Sequence, residues 1–142
     1  MEKTCSCTID ADIHAIPNIS HAIDKTMRAH AFSEEEILDT QLAVEEAITN
    51  VIMHGYAGTP GQIMITCSIT SGFVEVQIED TAPPFNPLSI PEPEIDENVE
   101  ERQIGGLGVF LLRQVMDDIM YRYENGKNIL VLVKRKKILD DS

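Results

Sequence analysis

Residues 45–56 read EEAITNVIMHGY, and the interpretation of the whole chain starts from this stretch. Glu46, Asn50 and His54 are four residues apart, so in a helix they form one stripe, because residues i and i+4 are neighbours on a helix surface. The stripe offers a carboxylate, a carboxamide and an imidazole, which suit a base, a metal ligand and a phosphate partner. A solvated helix face is the alternative for this spacing alone.

The helix that carries this stripe has a clear start. Ser33 opens the sequence SEEE and matches a capping box with Glu36. We expect the helix to run from there to about His54 and to stop at Gly55. Its buried side is predicted to consist of Ile37, Leu38, Leu42, Ile48 and Val51.

The rest of the chain predicts one more N-terminal helix and a set of strands. The helix covers residues 18–31, with Asn18 after Pro17 as its N-cap. A further helix is expected over 109–117. Strands are expected at 4–11, 62–70, 73–79, 119–123 and 129–135, with a hairpin turn at Asn125-Gly126.

These elements predict the fold class. A sheet with one apolar face needs a cover, and helices can supply it. We therefore expect an α+β fold, a two-layer α/β sandwich with a mixed, mostly antiparallel sheet and helices on one face. The 142 residues suit one domain, 1–142.

Two segments downstream carry possible binding chemistry. Residues 80–87 read DTAPPFNP and follow a predicted strand, so Asp80 is either a ligand-binding carboxylate or a strand-ending turn residue. Residues 105–110 read GGLGVF before a predicted helix, where close backbone approach and free N–H groups favour an anion. No Walker lysine follows, and residue 111 is Leu where a dinucleotide fingerprint needs a third Gly.

The stretch between these two segments differs in composition from the rest. Residues 81–104 contain five of the seven prolines and six acidic residues, with Arg102 as the one basic residue. Prolines exclude an ordinary helix or central strand, and long loops of this kind are functional or disordered. A linker between domains is the alternative, but too little chain follows for a second domain. We expect a mobile lid over about 81–108, in which Arg102 contacts a phosphate or pairs with Glu100 or Glu101.

In this order, the three segments resemble the nucleotide-binding boxes of the GHKL ATPase superfamily, the Bergerat fold. Over about residues 8–136 the chain is most similar to histidine-kinase-like ATP-binding domains of the anti-sigma-factor serine/threonine kinase type. The resemblance implies ATP and Mg²⁺ as cofactors, Glu46 as catalytic base, Asn50 as magnesium ligand and Asp80 on the adenine amine. The other binding residues it implies are His54, Ala82, Pro84, Phe85, Arg102, Gly105, Gly106, Leu107, Gly108 and Val109.

Residues 80–87 depart from the superfamily pattern at one position. D-x-G is usual, and Ala82 replaces this Gly, whereas Pro84-Phe85 agrees with the kinase-like branch. Ala82 is costly only if its backbone needs a positive φ, and otherwise its methyl slightly crowds the base.

The function implied is an ATP-dependent kinase that phosphorylates a small anti-anti-sigma regulatory protein and sequesters a sigma factor or similar partner. A non-catalytic switch, in which ATP orders the lid and so presents a surface to a partner, is the alternative. A fragment like the catalytic part of a sensor histidine kinase is a third, although the chain lacks a dimerisation helix with a phosphorylatable His. The resembled kinases are commonly dimers, but no residue identifies a dimer face.

Charge and hydropathy narrow the partners and the location. The formal net charge of −13 opposes binding to nucleic acid and to anionic membrane and favours a basic protein partner. Residues 134–137, KRKK, are the one basic cluster and are expected to be a solvated strand end. No apolar run is long enough for a transmembrane helix, and the N-terminus lacks the apolar region of a signal peptide. A cytoplasmic protein is expected.

Overall fold

The computed structural model describes residues 3–89 and 112–137. Five strands form one sheet in the order β1-β2-β3-β5-β4, and every pairing in it is antiparallel. The strands are β1 (Lys3–Asp10), β2 (Gln62–Ile69), β3 (Phe73–Asp80), β4 (Asp118–Glu124) and β5 (Lys127–Arg135). The predicted α+β sandwich with a mostly antiparallel sheet is confirmed.

Two helices cover one face of this sheet. They are α1 (Ile16–Ala29) and α2 (Glu34–Asn50), and α2 continues as one π-helical segment, Val51–Gly55. The core between the layers is aliphatic, and its fully buried members include Met27, Ile37, Ile48, Ile63, Val76, Ile78 and Leu132. No helix in the described ranges is long and apolar enough to cross a membrane.

The start of α2 agrees with the sequence, whereas the start of α1 does not. Ser33 caps α2, and its backbone N–H donates to the side chain of Glu36 over 2.8 Å. This second hydrogen bond completes the predicted capping box. The predicted N-cap Asn18 is wrong, because α1 already begins at Ile16 with Ala15 as N-cap. A short 3₁₀ turn, Ile13–Ala15, feeds directly into the helix and moves its start ahead of Asn18.

Two further expectations about burial differ from the structure. Leu38 and Leu42 are predicted on the buried side of α2, but they are 56% and 47% exposed. Of residues 134–137, expected to be a solvated strand end, Arg135 and Lys137 are exposed, but Lys134 is buried. Lys134 is 7% exposed and donates to Asp39 on α2 over 2.9 Å, because its amine finds a carboxylate inside the fold. The backbone N–H of Lys137 is held by Glu36.

The C-terminal hairpin forms as predicted. Asn125 and Gly126 connect β4 to β5, and both have positive φ, 54° and 77°, as a type I′ turn requires. Residues 112–115 are helical, as predicted, whereas Met116 and Asp117 lie beyond the end of the helix, so the predicted end at 117 is wrong. Arg102, Gly105, Gly106, Leu107, Gly108, Val109 and the lid beyond residue 89 lie outside the described residues.

Candidate nucleotide-binding site

The end of β3 and the start of β5 meet at a buried polar pair. Asp80 and Asn128 lie opposite each other in the β3–β5 register and are 6% and 5% exposed. Both side chains lie on the helix-covered face, since they follow the inward alternation of Ile78 and Leu130. The register therefore places a carboxylate and a carboxamide side by side beneath the end of α2.

Asp80 is held through one of its two oxygens. Its Oδ1 accepts from the side-chain amide of Asn128 over 2.9 Å and from the backbone N–H of Ala82 over 3.0 Å. Burial raises the pKa of the Asp80 carboxyl, and these two hydrogen bonds oppose that rise. The second oxygen, Oδ2, takes no part in these bonds and can accept from a ligand.

Asn128 also fixes the turn that follows Asp80. Its Nδ2 donates to the carbonyl oxygen of Ala82 over 3.0 Å, and its Oδ1 accepts from the backbone N–H of Phe85 over 3.0 Å. The hydroxyl of Tyr121 on β4 donates to the same Oδ1. Asn128 therefore shapes the candidate site, although the sequence did not single it out. Its signal was present, because it is the one polar residue at the head of the apolar run ILVLV.

Asn50, at the last turn of α2, faces the same place. It is 3% exposed, and its Nδ2 is buried without a hydrogen-bond partner in the structure. Asn50, Asp80, Phe85 and Asn128 line one narrow cavity of about 20 Å³. A buried amide of this kind costs stability unless something binds it, so it makes the cavity a candidate ligand site.

Glu46 lies one turn earlier and opens into a neighbouring cleft. This cleft is bounded by α2 and by the helical residues 112–115, and Leu42, Thr49 and Leu112 line it with Glu46. The Oε1 of Glu46 is buried without a partner, and burial raises the pKa of its carboxyl. Glu46 and Asn50 thus present two unsatisfied polar groups, one helical turn apart, to two adjoining depressions.

His54 does not continue the stripe of Glu46 and Asn50. Residues Val51–Gly55 form a π-helical turn, in which the backbone N–H of Tyr56 donates to the carbonyl oxygen of Val51 over 2.8 Å. This turn rotates later residues relative to α-helical spacing. His54 is exposed, and its ring stacks on Phe85 with 6.1 Å between centroids. The structure brings Asn50, Asp80 and Phe85 together and sets His54 on the outer side of Phe85.

Ala82 adopts an ordinary backbone conformation. It is absent from the described non-glycine residues with positive φ, so the backbone at this turn does not require Gly. Its methyl group is buried and stands 3.3 Å from the point where a Cβ on Gly55 would lie. Ala82 therefore fills space that Gly55 leaves at the end of the π-helical turn. Pro84, next to Phe85, is exposed.

The donor set fits a magnesium–nucleotide ligand. The terminal oxygen and nitrogen of a carboxamide are distinguished only by their partners, so the unbonded end of Asn50 can present an oxygen. Mg²⁺ is a hard cation that takes oxygen ligands and needs few from the protein when phosphates supply others. The Oδ2 of Asp80, which takes no part in the bonds of Oδ1, offers an acceptor that suits an exocyclic amine.

Comparison with known proteins agrees with this geometry. The profile of the family described as "Histidine kinase-like ATPase domain" matches residues 9–134. A serine-protein kinase RsbW from Listeria innocua is 35% identical over 105 residues, which is 70% of this chain and 67% of that protein. A serine-protein kinase RsbW from Bacillus mycoides is 27% identical over 116 residues, 78% of this chain and 72% of that protein.

A solved structure shows the same fold. A crystal structure of RsbU and RsbW domains from Mycobacterium tuberculosis aligns over 94% of this chain with a TM-score of 0.67 at 16% identity, and the chain spans 32% of that structure's chain. The chain belongs to the histidine kinase-like ATPase domain family and, within it, to the group of RsbW-type serine-protein kinases.

Proposed function

We propose that this protein is an ATP-dependent serine/threonine kinase of the anti-sigma-factor type, which phosphorylates a small anti-anti-sigma regulatory protein and sequesters a sigma factor or similar partner in the cytoplasm. The observation that carries the proposal is the pair of unsatisfied groups on one side of α2. The free Oε1 of Glu46 and the free amide of Asn50 are one turn apart, next to Asp80's cavity.

Glu46 is the proposed general base. Its Oε1 has no partner in the described structure and can take the proton of a serine or threonine hydroxyl as that oxygen attacks the γ-phosphate. Burial raises the pKa of the Glu46 carboxyl, which makes its carboxylate a stronger base. Glu45 is not equivalent, because its Oε2 already accepts from Ser20 on α1 over 2.6 Å.

Asn50 and Asp80 are the proposed nucleotide ligands. Asn50 would hold Mg²⁺, which when bound neutralises phosphate charge. The free oxygen of Asp80 would accept from the adenine amine and repel the guanine carbonyl, so ATP is selected over GTP. Asn128 keeps that oxygen in place by occupying the other one.

The first experiment is calorimetric titration with ATP and GTP, each with and without Mg²⁺, on the wild type and on Asp80→Asn. We expect magnesium-dependent ATP binding, no GTP binding, and at least about tenfold weaker ATP binding in the variant, the loss of one hydrogen bond to a charged group. Equal affinities for ATP and GTP would contradict the assigned role of Asp80.

The second experiment separates catalysis from binding. Transfer of labelled γ-phosphate from ATP to the anti-anti-sigma-type protein of the same organism is measured for the wild type, Glu46→Gln and Glu45→Gln. We expect transfer to disappear in Glu46→Gln and to persist in Glu45→Gln, a matched control on the adjacent residue. Equal transfer by both variants would remove Glu46 as the base.

One observation favours the alternative of an ATP-dependent switch without catalysis. The cavity of about 20 Å³ holds little more than a water molecule, and Phe85 and the buried Pro87 narrow it. A purine can enter only if these residues move, so nucleotide binding is coupled to the position of the segment after Asp80. Under this alternative, Glu46→Gln binds its protein partner normally in the presence of ATP, and no variant transfers phosphate.

A further inference from the structure

The outward face of α2 carries large apolar side chains in a row. Leu38, Leu42 and Met53 are 56%, 47% and 57% exposed, and we name these three residues the α2 ridge. Leu38 and Leu42 are four residues apart on α2, and Met53 follows in the π-helical segment that continues it. Single exposed apolar side chains are ordinary, but three large ones along one helix and its continuation indicate a contact surface.

The α2 ridge runs along the edge of the cleft that holds Glu46. Leu42 belongs to both, since it lines the cleft together with Glu46 and Val115. On the other side of the ridge, α1 approaches α2, where Ser20 donates to Glu45. A protein that rests on the ridge is therefore held next to the free Oε1 of Glu46.

The charged side chains that α2 itself carries are all acidic, and the fold pairs three of them with cations from elsewhere in the chain. Residues 34–50, which form α2, include six carboxylates and no Lys, Arg or His. Neither Glu45 nor Glu46 has an ion pair among the described residues. The apolar side chains of the ridge thus lie on a chain whose formal net charge is −13, which favours a cationic partner.

The length and charge of the ridge select its occupant. From Leu38 to Met53 the helix rises by about 22 Å, which suits the face of a folded protein rather than a small molecule. A second copy of this chain would bring the same net charge of −13, and an anionic membrane would be repelled as well. The partner that fits has apolar side chains around a serine or threonine hydroxyl and a cationic rim.

We propose that the α2 ridge is the docking surface for the protein substrate, an inference that rests on the kinase activity proposed above. The apolar contacts bind the substrate, the acidic surface of the chain attracts its cationic rim, and the hydroxyl to be phosphorylated points into the cleft at Glu46. The ridge acts in binding, whereas Glu46 acts in proton transfer. Substitutions in the ridge should therefore change substrate binding, and substitutions of Glu46 should change phosphate transfer.

The test compares two double variants with the wild type. Leu38→Ser/Met53→Ser removes the ends of the ridge without touching the Glu46 cleft. Ile13→Ser/Met120→Ser removes two side chains that are equally exposed, both 52%, elsewhere on the surface. The probe is the purified anti-anti-sigma-type protein of the same organism, and the readouts are its Kd by calorimetry in the presence of nucleotide, KM and kcat for phosphate transfer, and the affinity for ATP.

We expect the ridge variant to raise the Kd and KM for the protein probe by about tenfold while ATP affinity stays at the wild-type value. The control should match the wild type throughout, and added salt should weaken binding of the probe to the wild type. Unchanged Kd and KM in the ridge variant would overturn the docking surface and leave the kinase standing. Ridge-dependent binding without transfer would overturn the kinase and leave the surface. No binding by the wild type would overturn both.

Discussion

Asn128 and Asp80 form a direct cross-strand pair in which the amide of Asn128 donates to Oδ1 of Asp80 over 2.9 Å. The pair unites the sheet and the candidate nucleotide site, because the same amide also holds the turn at Ala82 and Phe85. Removing one member leaves several buried polar groups without a partner, which is more costly than losing a single hydrogen bond.

Asn128→Ala should therefore lower both stability and ATP affinity. We expect the free energy of unfolding to fall by about 2–3 kcal/mol, since the freed oxygen of Asp80 and the backbone groups of the turn lose their partner. Urea denaturation measures the first effect and ATP titration the second. Asn18→Ala, at an exposed position on α1, is the control and should change neither quantity. Wild-type ATP affinity in Asn128→Ala would show that the turn keeps its shape without the hydrogen bonds of Asn128.

Gly55 and Ala82 should behave as a coupled pair. A methyl added at Gly55 would stand 3.3 Å from the methyl of Ala82, so Gly55→Ala overpacks this point and should cost about 1–2 kcal/mol. Gly55→Ala/Ala82→Gly places the methyl on the other residue and should recover most of that loss. A double-mutant cycle from urea denaturation gives the coupling energy. Additive effects would mean that the two positions do not share this space.

Glu46→Gln should stabilise the protein at neutral pH. Burial raises the pKa of Glu46 in the folded state, so the folded state holds this proton more tightly than the unfolded state does. The charged form is thus disfavoured above the folded pKa, and the penalty disappears as the pH falls below the ordinary Glu pKa of about 4.3. We expect the melting temperature of Glu46→Gln to exceed that of the wild type by the order of 1–2 °C at pH 8.

The pH profile gives the control for this prediction. The difference in melting temperature should shrink as the pH is lowered to the ordinary range of a carboxyl group. Glu45→Gln should show no such gain, because Glu45 accepts a hydrogen bond from Ser20. A lower melting temperature for Glu46→Gln at every pH would mean that Glu46 stabilises the folded protein and does not destabilise it.

Lys134→Met should destabilise the protein strongly. The amine of Lys134 donates to Asp39 over 2.9 Å and to the carbonyl oxygen of Val115 over 2.6 Å. Loss of the amine leaves a partly buried carboxylate without its cation, at a cost of about 3 kcal/mol. The control is Lys127→Met on the same strand, whose amine is exposed and 3.9 Å from Glu79, and it should stay within about 0.5 kcal/mol of the wild type in urea denaturation.

Local signals in the sequence predicted the framework well. The capping box at Ser33 and the Asn125-Gly126 turn each depend on a few adjacent residues, and both are confirmed. Burial along α2 was less predictable, because apolar residues occur on several sides of this helix. Ile37 and Val44 face the sheet, whereas Leu38 is exposed. Periodicity alone does not show which of these sides of the helix is buried.

The candidate site was predictable only in part. Asn50 and Asp80 were found from their spacing and order, and the structure brings them to one cavity. Asn128 was missed because its importance comes from the β3–β5 register, a contact across 48 residues that no local pattern encodes. The π-helical turn after Asn50 was missed for a similar reason, because a four-residue spacing of polar side chains does not show whether the helix makes an α-helical or a π-helical turn.

The contact of Phe85 with His54 and with the cavity has a kinetic consequence. Where a side chain must leave before a ligand enters, the observed association rate rises with ligand concentration at first and then levels off at the opening rate. Phe85→Ala removes the ring that has to move, so its association with ATP should remain linear in concentration over the same range. Stopped-flow traces of the two proteins would therefore give the rate at which the entrance opens.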